Sequence, residues 1–67
     1  MLVEIQLKYI LEKKNISERE LSRRTGIRQG TINDMCNNVS KQISVANLAL
    51  ICDELNIDIS DLLKLKK

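Results

Sequence analysis

ERELSRRTGIRQGTINDMCN, residues 18–37, splits at Gly26 into two segments whose apolar residues have helical spacing. Leu21 serves the first segment, and Ile32 with Met35 serves the second. Gly26 stands where the turn between them needs a residue that accepts positive φ. The first segment opens on Ser17 with Glu20 three places on, the spacing of a capping box. The second opens on Arg28, whose side chain accepts no backbone amide and whose charge opposes the helix dipole. Lack of a good cap costs on the order of 1 kcal/mol. Gly30, two residues further, costs roughly another 1 kcal/mol relative to alanine. Two local rules are broken together in one helix, and such breaks are expected where function is exercised.

Working outward, one phrase recurs four times: an isoleucine, a cap position, and an apolar residue four places after the cap. It reads Ile16-Ser17 with Leu21, Ile27-Arg28 with Ile32, Ile43-Ser44 with Leu48, and Ile57-Asp58 with Leu62. This is the hydrophobic staple, which fixes how the chain enters a helix. The phrases predict helices over about 18–24, 29–37, 45–55 and 59–63, after a first one over about 6–14 with Leu7, Ile10 and Leu11 on one face. Asn15, Gly26, Asn38 and Asn56 fall just past the helix ends, and all tolerate the left-handed conformation. In the fourth helix Val45, Leu48, Ile51, Cys52 and Leu55 form an inward stripe, with Ala46 and Leu50 opposite. Met1 to Ile5 is rich in strand formers and is expected to pair with Lys64-Leu65-Lys66 as a two-stranded ribbon. The expected fold is all-α, a single five-helix domain over residues 1–67 with that small ribbon.

Sixty-seven residues place the chain near the lower size limit for folding on a hydrophobic core alone. With 43% hydrophobic and 30% charged residues it is neither a disordered chain nor a membrane-spanning one. Its first residues lack the layout of a signal peptide, so a cytoplasmic protein is expected. There is no histidine, no glycine-rich phosphate loop and no nucleophile motif, so neither enzyme activity nor a cofactor is expected. Cys36 and Cys52 cannot supply the four ligands of a structural zinc site, and no metal is expected. Cys52 reads as a small buried hydrophobe, and Cys36 as a partly buried thiol, with a redox switch as the lesser alternative.

The net charge of +2 hides an uneven distribution. Residues 13–42 hold seven basic side chains against three acids, a local +4, while the segments on either side are each −1. A basic middle between mildly acidic ends points to an anionic partner for the middle. The third helix supplies matching chemistry. With Ile32 and Met35 buried, its opposite face presents Gly30, Asn33, Asp34 and Asn37, and Arg28 and Gln29 project from its N-terminal end. Arginine bonds guanine O6 and N7, Gln or Asn bonds adenine, and Asp accepts from cytosine N4. Gly30 removes a side chain from the middle of that face and lets the backbone approach DNA closely.

Residues 18–37 resemble the helix-turn-helix of the phage-repressor family, the lambda repressor and Cro type. Leu21, Gly26, Ile27, Ile32 and Met35 fall on its apolar and turn positions, and Ser22 takes the place of the small residue where the two helices touch. ISVANLALICDELNIDISDLL, residues 43–63, is similar to the fourth and fifth helices of the short bacterial members. The resemblance implies a lambda-repressor-like DNA-binding domain, with the helix-turn-helix over about 18–37 and the third helix in the major groove. Gln29, Gly30 and Asp34 then take its main base-reading positions, with Arg28, Thr31 and Asn33 beside them. Phosphate contacts are implied for Ser17, Glu18 and Arg19 at the start of the second helix, and for Asn37, Asn38, Lys41 and Gln42 after the third. Three departures stand out. Gly30 replaces a residue that usually carries a side chain, Asn38 stands where many relatives have Gly, and Glu18 and Asp34 set carboxylates near phosphates.

The C-terminal third holds more apolar surface than one small core needs. Ala46, Leu50, Leu63 and Leu65 are therefore candidates for a homodimer contact, and family members often dimerise through this end. Two-fold symmetry would set the reading helices about 34 Å apart on a pseudo-palindromic operator of double-stranded DNA. A sequence-specific transcriptional regulator follows, with repression inherited from the family rather than from any residue. The alternative is a protein-interaction or antitoxin-type module of the same fold with weak or no DNA binding.

Overall fold

Each of the four isoleucine-led phrases opens a helix. In a computed structural model describing residues 2–40 and 42–66, the chain runs β1 (Leu2–Ile5), α1 (Leu7–Lys14), α2 (Glu18–Thr25), α3 (Gln29–Cys36), α4 (Val45–Leu55), α5 (Ile59–Leu62) and β2 (Leu63–Lys66). The expected boundaries hold to within one residue, and the all-α fold with a small ribbon is the observed one. Asn15, Asn38 and Asn56 all take φ between 55° and 59°, and Gly26 takes 77°. Three asparagines and one glycine thus make the left-handed turns that stop α1 to α4. Of the staple isoleucines, Ile27 is buried, and Ile16, Ile43 and Ile57 pack on the core from its edge.

Leu7, Leu21, Ile32, Met35, Ile51 and Leu62 are the fully buried centre, so all five helices contribute to one core. The ribbon closes it. β1 and β2 pair antiparallel with Val3 opposite Leu65 and Ile5 opposite Leu63. Side chains alternate along a strand, so these four share one face. Ile5 is buried and Leu63 half-buried at the core end, whereas Val3 and Leu65 overhang it at 59% and 61% exposure.

Three expectations are corrected, for Val45, for the capping box at Ser17 and for Cys36. Val45 lies on the inward azimuth of α4 but is 80% exposed, because it sits on the first turn, beyond the end of the core. Leu63, by contrast, keeps part of its surface open beside its ribbon partner Ile5 and is half-buried. The Ser17 hydroxyl accepts from the Glu20 amide at 3.0 Å as a cap should. The Glu20 carboxylate does not return to the cap, however, because Arg23 and Arg24 take it at 2.7 and 2.8 Å. The return half of a capping box forms instead at α5, where the Asp58 amide donates to the Asp61 carboxylate at 3.1 Å. Cys36 is fully rather than partly buried, at 4% exposure.

Candidate nucleic-acid interface

α2 and α3 are joined by a turn stitched by short polar side chains. Gly26 N–H donates to the Ser22 carbonyl at 2.8 Å. The Ser22 hydroxyl donates to the Ile27 carbonyl. The Thr25 hydroxyl donates to the Leu21 carbonyl at 2.8 Å and accepts from Ile27 N–H at 3.2 Å. Ser22 was legible only as a small residue between helices, and Thr25 carried no signal. Their bonds fix the angle at which α3 leaves the turn, which decides what α3 can reach.

α3 is held mainly from behind. Ile32, Met35 and Cys36 are buried, while the Arg28 cap position has no side-chain capping bond and the first turn has no acid. Arg28, Gln29 and Gly30 at the front are exposed, as are Asn33 and Asp34, and Thr31 is half-buried. The side chains of Arg28, Gln29, Thr31 and Asp34 bond to no other described residue. Gly30 has open space where a Cβ would be, and its φ is negative. Nothing inside the chain demands glycine there.

Asn33 and Asn37 are less free. Asn37 donates to the Asn33 amide oxygen at 3.2 Å, and Asn33 donates to the Glu18 carboxylate at 3.1 Å. This relay ties the side of α3 to the start of α2 and directs the Glu18 charge onto a donor inside the chain. Arg19, next to it, is exposed and enters no ion pair among the described residues. Arg23 and, behind it, Arg24 hold the Glu20 carboxyl below its ordinary range, so two arginines share one carboxylate and this face of α2 stays positive. Cys36 lies beneath this seam. Burial first, and then the nearby Glu18 carboxylate, push its thiol up to about 12. Such a thiol is protonated at neutral pH and a poor nucleophile, which disfavours a redox switch.

Of the segment after α3, Asn37 and Gln42 are exposed; Lys41 lies outside the described residues. Asn38 is committed elsewhere. Its Oδ1 accepts from Ile5 N–H at 2.6 Å and its Nδ2 donates to the Ile5 carbonyl at 3.1 Å. Gln6 N–H donates to the carbonyl of Leu62, the residue that leads into β2, so by alternation the Ile5 groups face away from β2. The Asn38 carboxamide fills the place of a third strand there. A bond between residues 33 apart in sequence gives no local signal.

Among the dimer candidates, Ala46, Leu50 and Leu65 are exposed. Leu50 is 45% exposed. No helix among the described residues is long and apolar enough to cross a membrane.

With this geometry in hand, the chain can be compared with known proteins. A sequence profile of the Cro/C1-type HTH DNA-binding domain matches residues 6–67. A crystal structure of a candidate DNA-binding protein from Bacteroides fragilis superposes with a TM-score of 0.83 at 28% identity, over 94% of this chain and all of that one. The transcriptional regulator VanUg shares the fold, with a TM-score of 0.76 at 24% identity, over 97% of this chain and 87% of that one. No curated protein sequence matches.

Proposed function

The chain belongs to the Cro/C1-type HTH DNA-binding family, and from that premise we propose that it is a sequence-specific regulator that reads the major groove with α3. One observation carries the reading. The front of α3 presents Arg28, Gln29, Thr31 and Asp34 without partners among the described residues, on a helix that lacks its cap and is anchored by its buried rear and, at one side, by Asn33 on Glu18. Arg28 and Gln29 suit guanine and adenine edges, and Asp34 suits cytosine N4. Gly30 brings the backbone to the groove, and Asn33 adds a donor already oriented by Glu18. Ser17, Arg19 and the first amides of α2 meet phosphate on one side of the groove, and Asn37 and Gln42 on the other. Glu18 acts there by holding Asn33. Asn38 leaves the contact set because Ile5 occupies its side chain.

The working unit is a homodimer that occupies a two-fold operator and represses. Supporting this is an apolar surface that runs from the ribbon to α4. Val3 overhangs a groove floored by Leu48 and Leu63, with Leu65 opposite it in the ribbon, and Val45 and Ile59, at 80% and 50% exposure, continue the surface. Selection of bound duplexes from a randomised pool at moderate salt tests the reading. A symmetric enriched site with half-sites about one helical turn, roughly 34 Å, apart is expected. Retention without an enriched sequence would leave only a backbone binder, and no retention would overturn the reading. Val45→Glu should turn the sedimenting species monomeric; an unchanged profile excludes this surface as the contact.

A further inference from the structure

A cleft of about 390 Å³ opens where α1, α5 and β2 meet. Its floor and walls are Ile10, Ile57 and the Tyr9 ring, and its rim carries Lys13, Lys14 and Lys64. It lies on the flank of α1 opposite the one carrying Lys8 and Glu12, which faces Ser17, Glu18 and Cys36. The cleft is thus separate from the reading surface, and the inference drawn from it does not rest on DNA binding.

Three features define what it can hold. Tyr9 is the only aromatic residue of the chain, and it is 59% exposed instead of contributing to a core built from aliphatic side chains. Lys13 Nζ lies 5.7 Å from the Tyr9 ring centroid, so cation and ring form one amphipathic wall. None of the three rim lysines enters an ion pair among the described residues, where every ion pair belongs to Arg23, Arg24 or Lys66. Asp61, which also lines the cleft, has its carboxylate turned to the Asp58 amide. Three lysines against the single Asp61 carboxylate leave the lining net positive, which disfavours a cationic occupant, and the apolar floor gives a sugar-phosphate chain nothing to bond. The volume falls in the range of small-molecule sites, roughly 300–1,000 Å³.

We propose that this cleft binds a small amphipathic carboxylate, with its charge among Lys13, Lys14 and Lys64 and its aliphatic or aromatic tail on Ile10, Ile57 and the Tyr9 ring. The sole aromatic is its own reporter, because every aromatic proton signal in the NMR spectrum comes from Tyr9. Titration with octanoate should shift those signals saturably, whereas acetate, which lacks the tail, and octanol, which lacks the charge, should not at the same concentration. Lys13→Glu and Lys64→Glu, both at exposed positions, should each weaken octanoate roughly fivefold while circular dichroism stays unchanged. Equal responses to octanol and octanoate would overturn the proposal, as would indifference to both reversals or no saturation up to roughly 10 mM. Displacement of octanoate by duplex DNA would assign the lysines to phosphate instead. Binding of an acidic peptide without octanoate binding would assign them to a protein partner. Either result also overturns the small-ligand site.

Discussion

α2 and α3 are both eight residues long, both follow a staple isoleucine, and they lean on each other, yet they are stabilised in opposite ways. α2 has its cap on Ser17, two of its arginines held by its own Glu20, and its C-terminus closed on Gly26. Its local sequence alone argues for a helix. α3 has an arginine at its cap, a glycine in its first turn and no internal ion pair. It stays helical because Ile32, Met35 and Cys36 bury its rear, so tertiary packing supplies what local propensity lacks. A helix held from behind has its front free, and the difference between the two helices marks which one faces a partner.

That contrast can be broken at its strongest point. Ile32→Ala removes a side chain with no exposure at all from the helix most dependent on burial. The loss should be about 2–5 kcal/mol, enough to unfold much of a chain this small. Urea denaturation followed by circular dichroism would read it, and a loss under about 1 kcal/mol would mean α3 does not depend on its rear. The same rear carries a pH dependence. The Cys36 thiol, raised to about 12 by burial, stays protonated in the folded state, while the unfolded thiol ionises near its ordinary value of about 8.5. The folded pKa is raised, so its contribution is intact below the unfolded value and is lost as pH climbs through that window. The slope approaches about 1.4 kcal/mol per pH unit at most. Cys36→Ala should flatten it, measured by denaturation midpoints at pH 8 to 10.5 (approximate bounds set by the same window).

The front of α3 should respond with opposite signs in two measurements. Arg28→Asp installs a cap and a favourable charge at the helix N-terminus, so stability should rise by about 1 kcal/mol. Affinity for the selected duplex should fall roughly 10- to 100-fold. Fluorescence anisotropy and thermal unfolding on one preparation separate the two. If both fall, Arg28 is structural and the comparison between the helices fails at its centre.

Most of the fold was legible because it is written locally. Caps, staples and left-handed stops act within a turn or two, and each produced a helix within one residue of its expected span. The errors share a cause in distance. Periodicity gives the azimuth of Val45 on α4 but not how far the core extends along the axis, so an inward-looking residue came out exposed. Asn38 looked like a helix stop beside phosphate, and the stop is real. Its carboxamide serves β1 across 33 residues, which no local pattern encodes. At the candidate site, Arg28, Gln29 and Asp34 were legible from the polarity of one face and end of the helix, and Thr31 only through the family resemblance. The Asn37–Asn33–Glu18 relay was not, because it crosses from one helix to the next.

The smallest expected effect sharpens the comparison most finely, because it concerns a residue with no side chain. A Cβ built on Gly30 meets nothing within 4 Å, and the backbone there needs no positive φ. By the logic of α2, alanine belongs at this position, and Gly30→Ala should stabilise the protein by about 0.5–1 kcal/mol in urea titration. The fold thus forgoes a stabilisation that a single methyl group would supply. If the methyl group stands between α3 and the floor of the groove, duplex affinity should drop several-fold even as the midpoint rises, and the glycine is there for the approach. An alanine variant that is more stable and binds as tightly would confine the reading surface to Arg28, Gln29, Thr31 and Asp34, with the backbone held back from the bases.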